Sequence, residues 1–198
     1  MIVFGITGGS GSGKTSVSKM LEKLGVHIID TDVIAHEIVE PNSDCLNELV
    51  DYFGDSILND DKTLNRKKLA SIAFSDKQKT VALSNITHKY IRAEVVKDIN
   101  TTDAELVGID GAVIIGSNVE PLCEFIVSVI ADKQSRITRI KTRDNITDEQ
   151  AIQRINAQND DEFYKENSMY IIYNNGDIAQ LESDVVGLFN KIKGNSFE

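Results

Sequence analysis

The sequence predicts an α/β fold in which a five-stranded parallel sheet has helices on both faces. Strand-like apolar runs alternate along the chain with segments whose apolar residues recur at helical spacing. Each strand is therefore joined to the next through a helix, and such connections are typical of parallel sheets buried on both sides. A glycine-rich loop between the first strand and the first helix marks the expected ligand site.

This loop spans residues 8–15 and reads Gly-Gly-Ser-Gly-Ser-Gly-Lys-Thr, which matches the phosphate-binding pattern G-x-x-x-x-G-K-[ST]. It lies between the apolar run Ile2–Thr7 and an amphipathic helix, so backbone N–H groups and a helix N-terminus would converge on a nucleoside triphosphate. We expect Lys14 to neutralise the β and γ phosphates and the Thr15 hydroxyl to hold Mg²⁺. The alternative is a Gly/Ser turn that only joins two elements, which needs neither the lysine nor so many glycines.

Two carboxylates follow the second predicted strand. Residues 26–29 form the apolar run of this strand, and Asp30 and Asp32 come directly after it. Ligands of open α/β sheets bind at the carboxyl ends of the strands, so either carboxylate could act as a general base or bind Mg²⁺ through water. If the strand stays extended, the two side chains share a face. The alternative is that Asp32 caps a helix beginning at Val33.

Residues 33–99 are predicted to be helical. Apolar residues recur there at helical spacing, with breaks at Pro41, Gly54 and residues 59–61, and no strand pattern interrupts them. A longer helix is expected to begin after residues 75–76. A kinase of small molecules would build its acceptor pocket from such an insertion, although the pattern equally allows a helical cover without a ligand.

Three further strands complete the predicted sheet: Leu106–Asp110, Phe125–Ile130 and Met169–Tyr173. The first of these ends in a carboxylate, which in phosphate-loop enzymes usually neighbours the Mg²⁺ shell. An amphipathic helix with apolar residues from Ile178 to Ile192 closes the chain.

Four of the six arginines lie in one short stretch: Arg136, Arg139, Arg143 and Arg154. The first three share one face of a helix that is expected to start at Asp132, and the planar guanidinium suits phosphate oxygens. A capping-box pattern at residues 147–150 predicts a second helix, which carries Gln158. The two helices are expected to form a hairpin that folds over the nucleotide, and the alternative is a solvated charged face.

The 198 residues are 41% hydrophobic and 26% charged, which suits a single globular domain. The formal net charge of −10 disfavours a diffuse basic surface for nucleic acid or acidic membranes. Cys45 and Cys123 form no C-x-x-C pair, and the three histidines have no metal-ligand spacing, so we expect two buried thiols. Because no run resembles a signal peptide or a transmembrane span, we expect a cytoplasmic protein.

Together these residues resemble one family, the dephospho-coenzyme A kinases, over nearly the whole chain. Many kinases share the phosphate-binding loop, whereas the D-x-D at residues 30–32 and the R-x-x-L-A-x-x-x-F run at residues 66–74 are more particular. The segments that carry the resemblance are residues 7–15, 25–36, 40–41, 53–58, 65–74, 139–144, 158 and 172–176.

The resemblance implies a P-loop nucleoside/nucleotide kinase fold and the ATP-dependent phosphorylation of the ribose 3′-hydroxyl of dephospho-coenzyme A, the last step of coenzyme A biosynthesis. ATP and dephospho-coenzyme A would be its substrates and Mg²⁺ its metal. It also implies that Asp32 is the general base and Arg139 a lid arginine on the ATP phosphates, with Lys14 the third catalytic residue. The residues expected to bind ATP are Gly11, Ser12, Gly13, Lys14, Thr15, Ser16 and, near the adenine, Asn175 or its neighbour Asn174.

Within a single kinase domain, we assign residues 1–32, 100–135 and 168–198 to the core. Residues 33–99 would form the helical acceptor-binding region, and residues 136–160 would form the lid. The sequence does not predict an oligomeric state.

Two segments depart from the family pattern. A P-L-L-F-E-like run follows the third strand in the family, whereas residues 112–116 read Ala-Val-Ile-Ile-Gly here, and the family's His-Pro pair is His88-Lys89. Residues 112–116 would lie close to the acceptor, so two alternatives stay open: a nucleoside or nucleotide kinase with another acceptor, and a divergent ATP-binding protein without turnover. No N-K-x-D run for reading guanine is present, which disfavours a GTPase.

Overall fold

The computed structural model describes residues 1–194 and confirms the predicted five-stranded parallel sheet. In chain order, the strands are β1 (Ile2–Thr7), β2 (His27–Asp30), β3 (Leu106–Asp110), β4 (Phe125–Ile130) and β5 (Tyr170–Tyr173). They lie side by side in the order β2, β3, β1, β4, β5, and central β1 pairs in parallel with β3 and β4. The last four residues of the predicted core, 195–198, lie outside the described residues.

Helices alternate with these strands as the sequence predicts. The helices are α1 (Lys14–Lys23), α2 (Thr31–Glu37), α3 (Asp44–Phe53), α4 (Arg66–Ala73), α5 (Lys77–Thr101), α6 (Lys133–Asp144), α7 (Asp148–Asn156), α8 (Asp161–Glu166) and α9 (Ile178–Gly194), with short 3₁₀ turns at Asp55–Ile57 and Glu120–Leu122. No helix within residues 1–194 is both long and apolar enough to cross a membrane.

The chain divides into two compact units. Residues 1–29 and 102–194 form the first unit, which contains the sheet, and residues 30–101 form the second. In the second unit, the long helix α5 contacts α2, α3 and α4. Residues 33–99, all of which the structure describes, contain no β-strand, as predicted.

The core of the first unit explains why its strands are mostly apolar. All five residues of β3 are buried, and Phe4 and Ile6 of β1 are fully buried, because helices cover a parallel sheet on both faces. The α1 residues Val17 and Leu21 pack in the same cluster as these strands. Packing of α1 against the sheet therefore fixes the start of this helix, where the glycine-rich loop ends.

The start of α2 corrects two predictions. The helix begins at Thr31 rather than Val33, and its N-cap is Asp30, whose carboxylate accepts the N–H groups of Asp32 and Val33 at 2.8 and 3.1 Å. Asp30 thus ends a strand while Asp32 is already helical, so the two side chains do not share the face of an extended strand. The cap prevails because it satisfies helix N–H groups that otherwise lack partners.

The helices of the arginine-rich segment begin as predicted, and one prediction about them is corrected. Asp132 caps α6, and α7 begins with the predicted capping box, in which Thr147 and Gln150 each bind the other's backbone. Gln158 lies beyond α7, because this helix ends at Asn156. The short helix α8 follows and was not predicted.

Candidate active site

The glycine-rich loop connects β1 to α1 with a backbone that depends on glycine at two positions. Gly11 and Gly13 have φ values of 76° and 99°, in the left-handed region that side chains disfavour. A Cβ built on Gly13 would lie 2.0 Å from Nδ2 of Asn174, so this position has no room for a side chain either. The loop is therefore closely packed against the residues that follow β5.

Unused backbone donors in this loop suit an anion. Within residues 1–194, the N–H groups of Gly11, Gly13, Lys14 and Thr15 donate to no protein acceptor. Lys14 and Thr15 also begin α1, where the helix dipole favours negative charge. Donors left without acceptors beside a helix N-terminus and a lysine are the arrangement that phosphate groups require.

Two arginines bind the carbonyl groups of the same loop. Arg136 Nε donates to the Ser10 carbonyl at 2.9 Å, and Nη1 of Arg139 donates to those of Gly11 and Ser12 at 3.2 Å each. Arg139 therefore lies against the loop, as predicted for a residue of the ATP site, but its guanidinium binds the loop carbonyl groups. The sequence predicts that Arg136 faces phosphates. Instead it lies in the protein interior, with 5% of the residue exposed.

Lys14 and Asp110 form an ion pair at the centre of the site. Lys14 Nζ donates a hydrogen bond to Oδ1 of Asp110, and the side chains are 14% and 4% exposed. Asp110 ends β3, which pairs with β1 directly before the loop. The structure thus brings together the loop lysine and the strand-end carboxylate, both of which the sequence singled out.

Oxygen donors beside this pair suit Mg²⁺. Thr15 lies at the second position of α1 and is exposed, as is Ser16. A hydroxyl and a carboxylate are the hard ligands that Mg²⁺ prefers, and this ion usually completes its shell with water and substrate phosphates. Accordingly, no group of three or more His, Cys, Asp or Glu side chains within residues 1–194 could hold a metal by itself.

The two asparagines after β5 have different partners. Asn174 is buried, donates from Nδ2 to the Ser12 carbonyl at 2.7 Å, and accepts from Arg139 through its own carbonyl at 2.9 Å. Asn175 is exposed, and its Oδ1 accepts the N–H of Asp132 at 2.8 Å. Of the two, Asn174 therefore contacts the loop directly.

The two carboxylates in the second unit also differ. Asp30 uses its carboxylate to cap α2, whereas Asp32 is exposed in the first turn of that helix. The ring of His36 contacts the backbone carbonyl of Asp32 at 2.7 Å, one helical turn on. The capping role of Asp30 leaves Asp32 as the stronger candidate for a proton acceptor.

Comparison with known proteins decides the family. The sequence profile of dephospho-CoA kinase matches residues 2–180. The chain belongs to the dephospho-CoA kinase family. A dephospho-CoA kinase of Lactobacillus johnsonii is 34% identical over 95% of this chain and 96% of its own length. The resemblance seen in the sequence is confirmed, and the chain is an ATP-dependent kinase of coenzyme A biosynthesis.

Solved structures agree with this assignment. The dephospho-CoA kinase of Campylobacter jejuni is 27% identical, with a TM-score of 0.69 over 98% of each chain. A protein of Thermus thermophilus is 25% identical, with a TM-score of 0.83 over 96% of this chain and 97% of that one. The P-loop kinase fold predicted from the sequence is thereby confirmed.

In this dephospho-CoA kinase family member, residues 112–116 form an irregular segment after β3, which ends in a turn at residues 115–116. Ile114 is fully buried, while the N–H of Gly116 donates to the Glu120 carboxylate at 2.6 Å. This segment also lines a cavity of about 190 Å³ together with Thr7, residues 157–159 and residues 163–164. The altered run thus packs into the first unit through Ile114, and Glu120 supplies a carboxylate that binds its backbone.

The second departure, His88-Lys89, belongs to a polar cluster of the second unit. Lys89 Nζ and the Tyr90 hydroxyl both donate to Oε2 of Glu48, at 2.5 and 2.7 Å. The hydrogen bond from Lys89 is the main reason that the pKa of Glu48 lies below its usual value. Lys89 replaces a proline of the family pattern and here connects α5 to α3.

Both cysteines are free thiols. Cys45 is buried and Cys123 half-buried. Burial raises the pKa of Cys45 to about 11 and that of Cys123 to about 12, so both stay protonated at neutral pH. The prediction of buried thiols is therefore confirmed for Cys45, whereas Cys123 is only half-buried.

Gly13→Ala should weaken ATP binding by about tenfold or more, because the new Cβ disfavours the left-handed backbone and displaces Asn174 from the loop. Isothermal titration with ATP measures the effect. Gly187→Ala is the matched control, since its Cβ would meet nothing within 4 Å. ATP binding that stayed at the wild-type level in Gly13→Ala would contradict the packing argument.

Proposed function

We propose that this chain transfers the γ-phosphoryl group of ATP to the ribose 3′-hydroxyl of dephospho-CoA. The observation that carries the proposal is the family match over residues 2–180, because it includes the phosphate-binding loop, Asp32 and the helical region 33–99. The acceptor oxygen forms a bond to the γ phosphorus while the bond to the bridging oxygen of ADP breaks. ADP leaves with that electron pair, and the hydroxyl proton passes to a carboxylate.

On the ATP side, we assign the phosphates to residues 11–16. The N–H groups without acceptors and the charge of Lys14 support this assignment, because the transition state of phosphoryl transfer is stabilised by fixed donors and positive charge. Thr15, with Asp110 nearby at the end of β3, would hold Mg²⁺. When bound, Mg²⁺ neutralises charge on the β and γ phosphates.

Arg139 and the residues after β5 are assigned to the nucleotide as well. Hydrogen bonds to the loop carbonyls hold the Arg139 guanidinium against the loop, on the side opposite to the N–H groups, and its positive charge contributes to ATP binding across the loop. We place the adenine near Asn174 and Asn175. The contact of Asn174 with the loop supports this placement, and Asn175 remains the candidate for contact with the base.

Asp32 is our candidate for the general base. A sugar hydroxyl needs its proton accepted as it attacks phosphorus, and a carboxylate serves this purpose. Asp32 lies two positions after the last residue of β2, and two residues of chain extend over at most about 7 Å. Because Asp30 is engaged as a helix cap, the capping geometry supports Asp32 as the residue that accepts the proton.

For the rest of the chain, we propose that residues 33–99 bind the acceptor and that residues 136–160 form a lid. The helical character of both segments supports these roles. We also propose a cytoplasmic location, because two free thiols are typical of a reducing compartment. The partners in this proposal are the small molecules ATP and dephospho-CoA.

A coupled assay of ADP release tests the proposal. We expect turnover with ATP and dephospho-CoA, and much less with a panel of nucleosides and nucleotides. Identification of the phosphorylated product confirms that the 3′-hydroxyl is the acceptor. Turnover with nucleosides or nucleotides but not with dephospho-CoA would refute the acceptor assignment.

A different acceptor is the second candidate, and the altered run at residues 112–116 favours it. Changing the run towards the family pattern with Ile115→Phe discriminates between the two, and Gly116 stays in place because its φ of 77° disfavours a side chain. If the run limits acceptor binding, the KM for dephospho-CoA falls in this variant while the KM for ATP stays constant. If dephospho-CoA is the natural acceptor and the present run already suits it, the change does not lower the KM for dephospho-CoA.

A further inference from the structure

Two arginines of α6 hold the outer side of the phosphate-binding loop. Arg136 binds the Ser10 carbonyl, and Arg139, one helical turn later, binds the carbonyls of Gly11 and Ser12. Three consecutive carbonyl groups are thus fixed by charged donors on one helix face. Hydrogen bonds from charged donors are stronger than those between neutral groups.

These contacts determine where the N–H groups of the loop point. In a trans peptide, the N–H of each residue points opposite to the carbonyl of the residue before it. Fixing the carbonyls of Ser10 and Ser12 on the side of α6 therefore directs the N–H groups of Gly11 and Gly13 away from that helix. Both N–H groups belong to the set that has no protein acceptor within residues 1–194.

Arg136 has the interior environment of a fixed scaffold residue. Its side chain is 6% exposed, and its only carboxylate contact among the described residues is Asp161, at 3.7 Å. Nη2 of Arg136 also donates to Oε1 of Gln158 at 3.3 Å, and the same oxygen accepts the N–H of Ser10 at 2.7 Å. Both backbone groups of Ser10 are therefore held by one arginine and its glutamine partner.

Gly9 provides the space for this contact. A Cβ on Gly9 would lie 2.3 Å from Nη2 of Arg136 and 2.8 Å from its Cζ. The φ of Gly9 is outside the left-handed region, so its backbone tolerates alanine. A side chain at this position is therefore excluded by the guanidinium rather than by the backbone.

We propose that Arg136 is a positioning residue for ATP, which acts by holding the tip of the phosphate-binding loop together with Gln158. It binds the carbonyl side of the loop, and its effect reaches the nucleotide through the orientation of the N–H groups. The inference rests on the proposed function only in taking ATP as the ligand, and ATP binding can be measured without the acceptor.

Arg136→Met tests the inference while limiting damage to the interior, since methionine keeps the apolar packing of a long side chain and Asp161, which loses its partner, is 43% exposed and stays hydrated. We expect the Kd for ATP to rise by about tenfold, with little change in kcat at saturating ATP or in the KM for dephospho-CoA. Arg136→Lys should recover part of the loss, because one ammonium keeps the charge but not the fork of donors. An equal loss of affinity for ATP and for dephospho-CoA would overturn the inference.

Lys141→Gln is the control on the same helix. It removes an ion pair with Asp148 between α6 and α7 without touching the loop. The Kd for ATP should stay at the wild-type value, and a tenfold rise here would show that general weakening of α6 suffices, which overturns the proposal.

Gly9→Ala tests the same contact from the other side. Its Cβ should displace the guanidinium and raise the Kd for ATP to a similar extent as Arg136→Met. Combined in one chain, the two changes should weaken ATP binding no more than either alone, because both remove one interaction. Additive losses would overturn the inference, and Gly9→Ala decides alone if Arg136→Met does not fold. A wild-type protein that binds ATP but does not phosphorylate dephospho-CoA would refute the proposed function and leave this inference standing.

Discussion

Lys14→Ala is expected to lower kcat on the order of 10³-fold, because it removes the positive charge that the loop presents to the β and γ phosphates. Phosphoryl transfer depends mainly on positioning and electrostatic stabilisation, so no other group in the loop can replace an ammonium at this place. Steady-state assays at saturating ATP and dephospho-CoA measure the effect. Lys19→Ala, an exposed lysine on the same helix, is the matched control and should keep wild-type kcat.

The same substitution also affects folding. Lys14 pairs with Asp110, whose side chain is only 4% exposed, so removing the ammonium should cost about 3 kcal/mol of unfolding free energy. The double variant Lys14→Met with Asp110→Asn removes both charges and should recover most of this stability without recovering kcat. Urea unfolding separates the two effects. A Lys14→Ala protein with kcat within tenfold of wild type would refute the catalytic role of Lys14.

The sheet and its helices could be predicted because their signals are local. Each strand is a short apolar run, whereas α1, α3 and α9 repeat their apolar residues at helical spacing, so the pattern alone separates them. The six-residue helix α8 was missed because so short a segment contains less than two turns of that repeat. Its remaining signal is the N-cap Asp160, which accepts the N–H of Phe163.

At the site, the sequence identified the loop and the strand-end carboxylate, and it misjudged two contacts. Spacing placed Arg136 and Arg139 on one helix face, but which surface that face meets depends on how α6 packs. Arg136 and Arg139 of this face meet loop carbonyls rather than the predicted phosphates. The alternative prediction that Asp32 caps α2 was wrong for a related reason. Either aspartate could cap this helix, and the end of β2 decides which of them does.

Asp32→Asn is expected to lower kcat by about 10² to 10³-fold, because an amide cannot accept the proton of the attacking hydroxyl. Asparagine has the same size and keeps its place in the first turn of α2, so the Kd for ATP should change by less than about twofold. The acid limb of the pH profile of kcat, which reports protonation of the base, should disappear in this variant. Isothermal titration and pH-dependent assays provide these measurements.

Asp30→Asn is the matched control, two residues earlier. Asparagine caps helices as well as aspartate does, so this variant should keep the hydrogen bonds to the N–H groups of Asp32 and Val33, and with them wild-type kcat. If Asp30→Asn lost turnover and Asp32→Asn kept it, the base would be Asp30. The capping argument for Asp32 would then be wrong, because a carboxylate that accepts two N–H groups would also accept the proton during the reaction.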